Sequence, residues 1–414
     1  MRIVDLFSGA GGLTFGFYYR LRKDGFVRNR KNTFVFANEY DESAAEAFSA
    51  NYPDIEMLQS DIKALTAEQI LELVGQEPVD LIIGGPPCQS YSTVGQRNFD
   101  ERAILYQEYT RILGIVRPKM FLFENVRGIL SMREVFYKKD EQGNILYEYT
   151  KVEGKESKKP RKRPVVDHYG ALLIEKMKEQ FAHIDNNLGY NISYEILNSV
   201  DYGVPENRDR VFIVGIRNDL NIAWEFPKGE CEIPISVKDA ISDLPPLGEG
   251  ESADHYTIEV QNEFQRIMRK DSTVLTQHFC GVYGDKIRTV IQNVKQGQGK
   301  NDFNRLVSEG LIDKKYKLTS GYANTYGRLV ENQPSPTITN NLSTPSGLRC
   351  IHYSQNRALT PREGARIQSF PDWFEFRGSK TDVTAQIGNA VPPLLSICLA
   401  LQFEKVLKRG ENNE

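Results

Sequence analysis

The sequence is poor in the groups that hold metals and staple secreted domains. Five cysteines and five histidines are scattered over 414 residues, with no pair at metal-ligand spacing, which argues against a zinc site. An odd, dispersed set of cysteines fits a reducing cytoplasm better than a disulfide framework, and cytoplasmic localisation is expected. No apolar run is long enough to span a bilayer, so no membrane association is expected. The amino terminus enters a strand-like run, Ile3 to Phe7, without a basic leader. Excess positive charge is also missing. The formal net charge is −3, so a nucleic-acid binder would have to gather its basic residues on one face. What remains, 40% hydrophobic and 26% charged, is an ordinary globular composition of a length for two or three domains. There is no internal repeat.

One stretch stands out, Asp80 to Arg97, read as Asp-Leu-Ile-Ile-Gly-Gly-Pro-Pro-Cys-Gln-Ser-Tyr-Ser-Thr-Val-Gly-Gln-Arg. Asp80 to Ile83 reads as a strand buried on both faces of a parallel sheet, because its apolar run is continuous. Gly84 and Gly85 permit a sharp turn, and Pro86 and Pro87 fix φ and remove two backbone donors. Cys88 then stands on a stiff loop at the carboxyl edge of the sheet, where α/β proteins hold ligands. A lone cysteine is more often a small buried thiol, but these flanks build a loop rather than a core.

Ile3 to Phe7 reads as the first strand, Ser8 to Leu13 as a glycine loop, and a helix follows from about Thr14. That succession lets a cofactor approach the backbone. The spacing of Gly9, Gly11 and Gly12 misses the dinucleotide fingerprint, and no Lys-Ser/Thr pair follows it. Thr33 to Asn38 is a second strand ending at Glu39, which is placed to accept hydrogen bonds from a ribose. A helix over Asp41 to Asn51 comes next, and Asp61 follows a brief apolar stretch. Glu39 and Asp61 also read as solvated loop carboxylates or helix caps. Together with the glycine loop they point to a nucleoside without phosphates, such as S-adenosylmethionine.

A helix from about Ala103 to Val116 leads to a buried strand, Met120 to Phe123, and then to Glu124-Asn125-Val126. If this strand neighbours the one before Cys88, Glu124 and Cys88 emerge at one sheet edge, and burial there raises the carboxyl's pKa. A helix cap is the alternative reading for Glu124. From Ser131 to Pro164 charges replace periodicity, ending in Lys158-Lys159-Pro160-Arg161-Lys162-Arg163-Pro164. This insertion is either a solvated loop or a phosphate-contacting arm. A helix over Gly170 to Phe181 precedes strands at Ile192 to Leu197 and Val211 to Ile216. Their short link permits an antiparallel pair, which would bring Arg208 and Arg210 to the carboxyl edge; alternating arginines at a strand start also read as a solvated edge. Residues 218–384 read as a second domain, and Pro393 starts a last helix from Leu394 to about Leu407.

In order along the chain, Asp5 to Gly12, Gly85-Pro86-Pro87-Cys88-Gln89, Glu124-Asn125-Val126, Glu206-Asn207-Arg208-Asp209-Arg210, Arg328 with Pro334 to Thr339, and Gly388 to Pro392 resemble the DNA cytosine-5 methyltransferase family of bacterial restriction-modification systems. The resemblance covers nearly the whole chain except the charged insertion and part of the second domain. It implies an α/β, Rossmann-like methyltransferase with a mixed seven-stranded sheet and a smaller target recognition domain. Residues 1–217 with 385–414 form the catalytic domain, interrupted by 131–164, and 218–384 form the recognition domain and hinge. The last helix is expected to pack beside the first strand. Glu206 stands where the family has glutamine, a change expected to alter polarity near the target base.

The implied roles fit the chemistry. Carbon 5 of cytosine cannot attack a methyl sulfonium unaided, and addition of a thiolate at carbon 6 makes it an enamine carbon. Cys88 supplies the thiolate, Glu124 the proton at ring nitrogen 3, Arg210 the contact to the carbonyl oxygen, and Arg208 supports that geometry. A base in the duplex must flip out to be reached. S-adenosylmethionine, leaving as S-adenosylhomocysteine, is expected against Phe7, the Gly9-Ala10-Gly11-Gly12 loop, Glu39 and Tyr40, Asp61 and Ile62, Pro87, Leu105, Asn389 and Ala390. Gln89, Ser92, Arg97 and Arg328 are expected at the DNA. The expected partner is double-stranded DNA, bound by a monomer that needs no metal and acts independently of any cognate endonuclease. The rival readings are a transfer-RNA cytosine methyltransferase of the same fold and a DNA-binding regulator that has lost activity.

Overall fold

The computed structural model describes residues 1–87, 105–150, 161–184, 189–220 and 222–411. The chain begins with β1 (Arg2–Leu6), α1 (Gly12–Tyr18), a hairpin of β2 (Tyr19–Arg22) and β3 (Gly25–Arg28), β4 (Thr33–Glu39), α2 (Glu42–Asn51), β5 (Met57–Gln59), α3 (Ala67–Val74) and β6 (Leu81–Gly84). Local chemistry sets the helix starts. Asp41 accepts the Ala44 N–H at 2.9 Å, and Thr66 and Gln69 form a reciprocal capping box. Next come α4 (Leu105–Val116), β7 (Met120–Val126), β8 (Arg133–Tyr137), β9 (Tyr147–Thr150), β10 (Arg161–Pro164), β11 (Val166–Leu172), α5 (Leu173–Ala182), β12 (Tyr190–Asn198), β13 (Glu206–Asn207) and β14 (Asp209–Arg217). The remainder holds α6 (Val237–Ile241), α7 (Glu263–Arg269), α8 (Asp285–Asn293), α9 (Lys300–Ser308), β15 (Ser335–Pro336), α10 (Pro361–Ile367), α11 (Lys380–Asn389) and α12 (Pro393–Glu411).

Seven strands form one mixed sheet in the order β12-β14-β7-β6-β1-β4-β5. Every pairing is parallel except those of β14, which runs antiparallel to both β7 and β12. The link from β12 to β14 is too short for a parallel crossover, so the reversal is forced. Side chains alternate across the sheet. Ile3, Leu81, Ile83 and Leu122 enter one apolar cluster with α1 and α12. Val4, Leu6, Ile82, Phe121 and Phe123 enter the other with α3, α4 and α5. Covering on both faces explains why these strands read as unbroken apolar runs.

Residues 359–376 also join the first of these clusters, with Trp373 stacked near Phe15 at 5.9 Å between ring centroids. Two smaller cores lie further out. Cys280, Tyr283, Ile291 and Ile351 make one, and Val290, Val294, Phe303, Val307 and Leu318 the other. Among the described residues no single helix is long and apolar enough to cross a membrane.

Three local expectations are corrected. Residues 166–172, which include the expected helix start at Gly170, form a strand because they pair with β8; the helix begins only after Leu173 N–H bonds Met132 O. The charged insertion carries regular structure, β8 paired with β11 and β9 paired with β10. The last helix packs on α1 rather than on β1. Ser396 Oγ accepts the Gly16 N–H at 3.1 Å and donates to Leu13 O. A β-carbon at Gly16 would lie 2.1 Å from the carbonyl carbon of Ser396, so Gly16→Ala should separate α1 from α12. A loss of about 1–3 kcal/mol in denaturant unfolding is expected, and an unchanged midpoint would contradict this packing account.

Candidate active site

The carboxyl ends of β1, β4, β6 and β7 open into a cavity of about 670 Å³. Its floor is the loop after β1. Phe7 lines the cavity from a left-handed backbone conformation, φ 56°, a costly state for a bulky residue and one that clusters at functional sites. Gly11 takes φ 93°, and a β-carbon there would lie 2.2 Å from the Tyr52 ring. The Tyr52 hydroxyl donates to Gly11 O at 2.6 Å, clamping the turn from behind. Glu39, at the end of β4, accepts N–H bonds from Gly9, Tyr40 and Asp41, each at 2.8 Å. Burial raises the Glu39 pKa, and those three donors hold it down only in part.

The next wall comes from the turn at Asp61. Asp61 caps it by accepting the Lys63 N–H at 3.0 Å, and Arg111 of α4 reaches across to the carbonyls of Ile62 and Leu65. Asn38 fixes the neighbouring backbone through Leu58 O and Ser60 O. Both Asp61 and Ile62 face the cavity.

At the other end stands Glu124. The parallel register sets Gly84 of β6 beside Phe123 of β7, so the Gly85-Pro86-Pro87 turn leaves the sheet next to Glu124. Asn125 ties that turn down by donating to Pro86 O at 3.2 Å. Across the antiparallel seam Phe212 faces Glu124, and Arg210, two residues earlier on the same face, lies on the diagonal. Its Nε is 2.9 Å from Glu124 Oε1. Burial pushes the Glu124 carboxyl above its usual range, against the opposing pull of Arg210 and Arg208.

Phe7, Gly9, Ala10, Gly12, Glu39, Tyr40, Asp61, Ile62, Pro87, Leu105, Glu124, Arg210, Asn389 and Ala390 line this one cavity. Gly11 lies behind its floor. Cys88, Gln89, Ser92 and Arg97 fall outside the described residues. Arg208 is fully buried away from the cavity and donates to Ile338 O at 3.0 Å and Gly388 O at 2.7 Å. It joins β14 to two distant segments, which suits a supporting role. Glu206 is also fully buried and accepts the Ile338 N–H at 2.5 Å. Its effect therefore falls on the β13–β15 contact rather than on a base-facing surface.

Arg328 corrects another expectation. Its five guanidinium hydrogens go to Val294 O, His352 O, Gln355 O, Ile291 O and Asn356 Oδ1, at 2.7–2.9 Å, inside the outer cores. No donor is left for a phosphate. Reading from sequence missed Asp5, Asn340 and the face of α11 formed by Asp382, Ala385 and Gln386, all of which line the cavity. The spacing i, i+3, i+4 behind the Ser379–Asp382 capping box was the available signal for that face.

With this geometry in view, the comparisons with known proteins are decisive. The family model described as C-5 cytosine-specific DNA methylase matches residues 1–147 and 165–405. The chain belongs to this family. It is 32% identical to the type II methyltransferase M.DdeI of Desulfomicrobium norvegicum, over 97% of this chain and 88% of that protein. It is 31% identical to M1.HphI of Haemophilus parahaemolyticus, over 99% and 87%. Two solved structures share the fold. A prophage-encoded DNA modification methyltransferase of E. coli has a TM-score of 0.67 at 23% identity, covering 99% of both chains. A Spodoptera frugiperda DNMT2 variant has 0.53 at 16% identity, covering 97% and 98%.

A C-5 cytosine DNA methylase takes its methyl group from S-adenosylmethionine, and the cavity suits that cofactor. Six carboxyl residues line it, Asp5, Glu39, Asp41, Asp61, Glu124 and Asp382, against only Lys63 and Arg210. Such a surface favours a cationic, phosphate-free nucleoside over a nucleotide. Asp5 is fully buried; it accepts from Thr14 at Oδ2, while Oδ1 has no partner among the described residues. A buried carboxyl oxygen of this kind calls for a ligand or water partner.

Two predictions follow from these side chains. Burial raises the Asp5 pKa to about 8, partly opposed by Thr14. Folding without cofactor therefore takes up a proton, and the associated stability is complete below pH 4 and lost as pH rises towards 8. Asp5→Asn should flatten that decline in thermal melts from pH 5 to 9; parallel curves for the two proteins would refute it. Arg328→Met should cost about 3 kcal/mol or more in unfolding free energy, since it leaves buried carbonyls unpaired. The folded remainder should keep the wild-type salt dependence of DNA binding, whereas a phosphate contact would lower the slope by about one.

Proposed function

We propose that this chain is the modification methyltransferase of a type II restriction-modification system. In this reading it acts as a monomer in the bacterial cytoplasm and methylates one cytosine within a short duplex sequence. The observation that carries the catalytic part is the Arg210–Glu124 contact of 2.9 Å at the mouth of the acidic cavity. Relatives named as type II methyltransferases, aligned over nearly their whole length, support the biological setting.

Bound S-adenosylmethionine would supply an electrophilic methyl group, with Phe7 against the adenine, Glu39 at the ribose, Asp61 at the adenine amine and the Gly9–Gly12 loop at the methionine. Cys88, the residue after Pro87 in the chain, would add its thiolate to carbon 6 of a flipped cytosine. Glu124, with its pKa raised by burial, keeps a proton to share with ring nitrogen 3 and drains the charge created by that addition. Arg210 holds the carboxyl and meets the cytosine carbonyl oxygen, and Arg208 braces the strand. Carbon 5 of the adduct takes the methyl group. Loss of the carbon 5 proton to water then expels the Cys88 thiolate by elimination.

Residues 1–217 with 385–414 would be the catalytic domain, and the recognition loops would come from 218–384, around the two outer cores. Gln89, Ser92 and Arg97 would reach the DNA from the segment that carries Cys88. A cognate endonuclease would act on the same sequence independently.

The test is base-resolution conversion sequencing of DNA and RNA from a methylation-free bacterial host expressing the protein or its Cys88→Ser variant. Protection of cytosines in one short DNA motif, present only with the intact cysteine, is expected. Protection that survives Cys88→Ser would overturn the assigned nucleophile. A mark confined to transfer RNA would overturn the DNA assignment.

A further inference from the structure

Asn340 lines the cavity yet has no role in the reaction proposed above. Four side-chain amides face that cavity, those of Asn38, Asn340, Gln386 and Asn389. Two of them are engaged by the fold. Asn38 gives its amide hydrogens to Leu58 O and Ser60 O, and Gln386 gives its own to Arg377 O and Ser43 Oγ. Asn340 and Asn389 are exposed, and neither side-chain amide has a hydrogen-bond partner among the described residues.

Buried contacts bring these two free amides together. Segment 335–338 is zipped to residues 206–208: Ser335 pairs with Glu206, the Thr337 hydroxyl donates to Asn207 O at 2.8 Å, and the Ile338 N–H reaches Glu206. The buried Arg208 guanidinium then spans two segments, donating to Ile338 O and to Gly388 O. Asn340 thus enters the cavity just past one anchor, and Asn389 just past the other. Their approach is close, since a β-carbon at Gly388 would lie 2.5 Å from the Asn340 backbone nitrogen. On its other side this wall meets the glycine loop: a β-carbon at Gly12 would lie 3.0 Å from that of Ala390.

Charge says what the free amides would hold. The methionine part of S-adenosylmethionine ends in a carboxylate, and the lining of this cavity is rich in carboxyls. Its two cationic residues stand elsewhere, Lys63 on the Asp61 turn and Arg210 on Glu124 at 2.9 Å. In the glycine loop the Gly9 N–H is given to Glu39 and the Gly11 N–H to Ser8 O. A carboxylate arriving there needs other N–H donors to replace its hydration. We propose that Asn340 is a cofactor-binding residue whose amide, beside that of Asn389, donates to the carboxylate of S-adenosylmethionine. This rests on the cofactor placement proposed above, with the methionine at the Gly9–Gly12 loop. It adds a contact from segment 218–384, so the part of the chain assigned to DNA recognition completes the cofactor site.

The test is calorimetric titration of the full chain, without DNA, with two ligands. One is S-adenosylhomocysteine, and the other is its decarboxylated analogue, which keeps the ammonium and lacks only the carboxylate. The wild type should bind S-adenosylhomocysteine about tenfold more tightly than the analogue. Asn340→Leu should weaken S-adenosylhomocysteine by about tenfold, the worth of one hydrogen bond to a charged group, and leave the analogue within about twofold. Asn340→Asp, of nearly the same size, should weaken S-adenosylhomocysteine further by like-charge repulsion and spare the analogue. Equal losses for both ligands would overturn the proposal, because they report a general change in the cavity wall. So would a wild type that does not distinguish the two. Unchanged affinity for S-adenosylhomocysteine with a raised KM for DNA would also overturn it, placing Asn340 at the target nucleotide. A wild type that binds neither ligand would overturn the cofactor placement itself, and this proposal with it.

Discussion

The reversed strand β14 is the constraint on which the site depends. In an all-parallel sheet the start of that strand would lie at the amino edge, far from the cavity. Reversal brings Arg210 to the carboxyl edge, on the diagonal from Glu124. The consequence is electrostatic. A carboxyl buried at a sheet edge resists ionisation, and two arginines within reach limit how far its pKa climbs. In the proposed mechanism that competition would let the carboxyl share a proton with a ring nitrogen and release it later.

Charge is unevenly spread in a protein whose formal net charge is −3. Carboxyls gather in the cavity, where a cationic nucleoside fits. Deeper in, the chain ties its parts together with buried arginines. Arg366 pairs with Asp243 and Asp372, Arg357 grips Glu363, and Arg208 and Arg328 bond carbonyls from several segments. These planar forks link loops that share no secondary structure.

Much of this was legible in the sequence because the strands obey local rules. Continuous apolar runs marked β1, β4, β6 and β7, and the ten residues between β12 and β14 sufficed to predict the reversal. The glycine loop, Glu39, Asp61 and Glu124 announced themselves by lying at or near the carboxyl ends of apolar strand runs. What escaped depended on distant packing. Nothing near Arg328 says that five carbonyl and amide oxygens from residues 291–356 converge on it. The α11 face was missed because its partner, the loop after β1, is more than 350 residues away in sequence. The paired strands of the charged insertion were missed because a solvated two-stranded arm has no buried face to impose alternation.

The central claim is that Glu124 works by holding a proton at the sheet edge. It is tested most directly by the rate of covalent adduct formation on a duplex whose target cytosine carries fluorine at carbon 5. Fluorine cannot leave as the ring proton does, so the adduct persists and mass spectrometry can locate it. Measured over a pH series with cofactor present, the wild-type adduct at Cys88 should form more slowly on the alkaline side as Glu124 loses its proton. Glu124→Gln should be at least a hundredfold slower and should lack that alkaline limb. Equal rates and superimposable pH profiles for the two proteins would contradict the account.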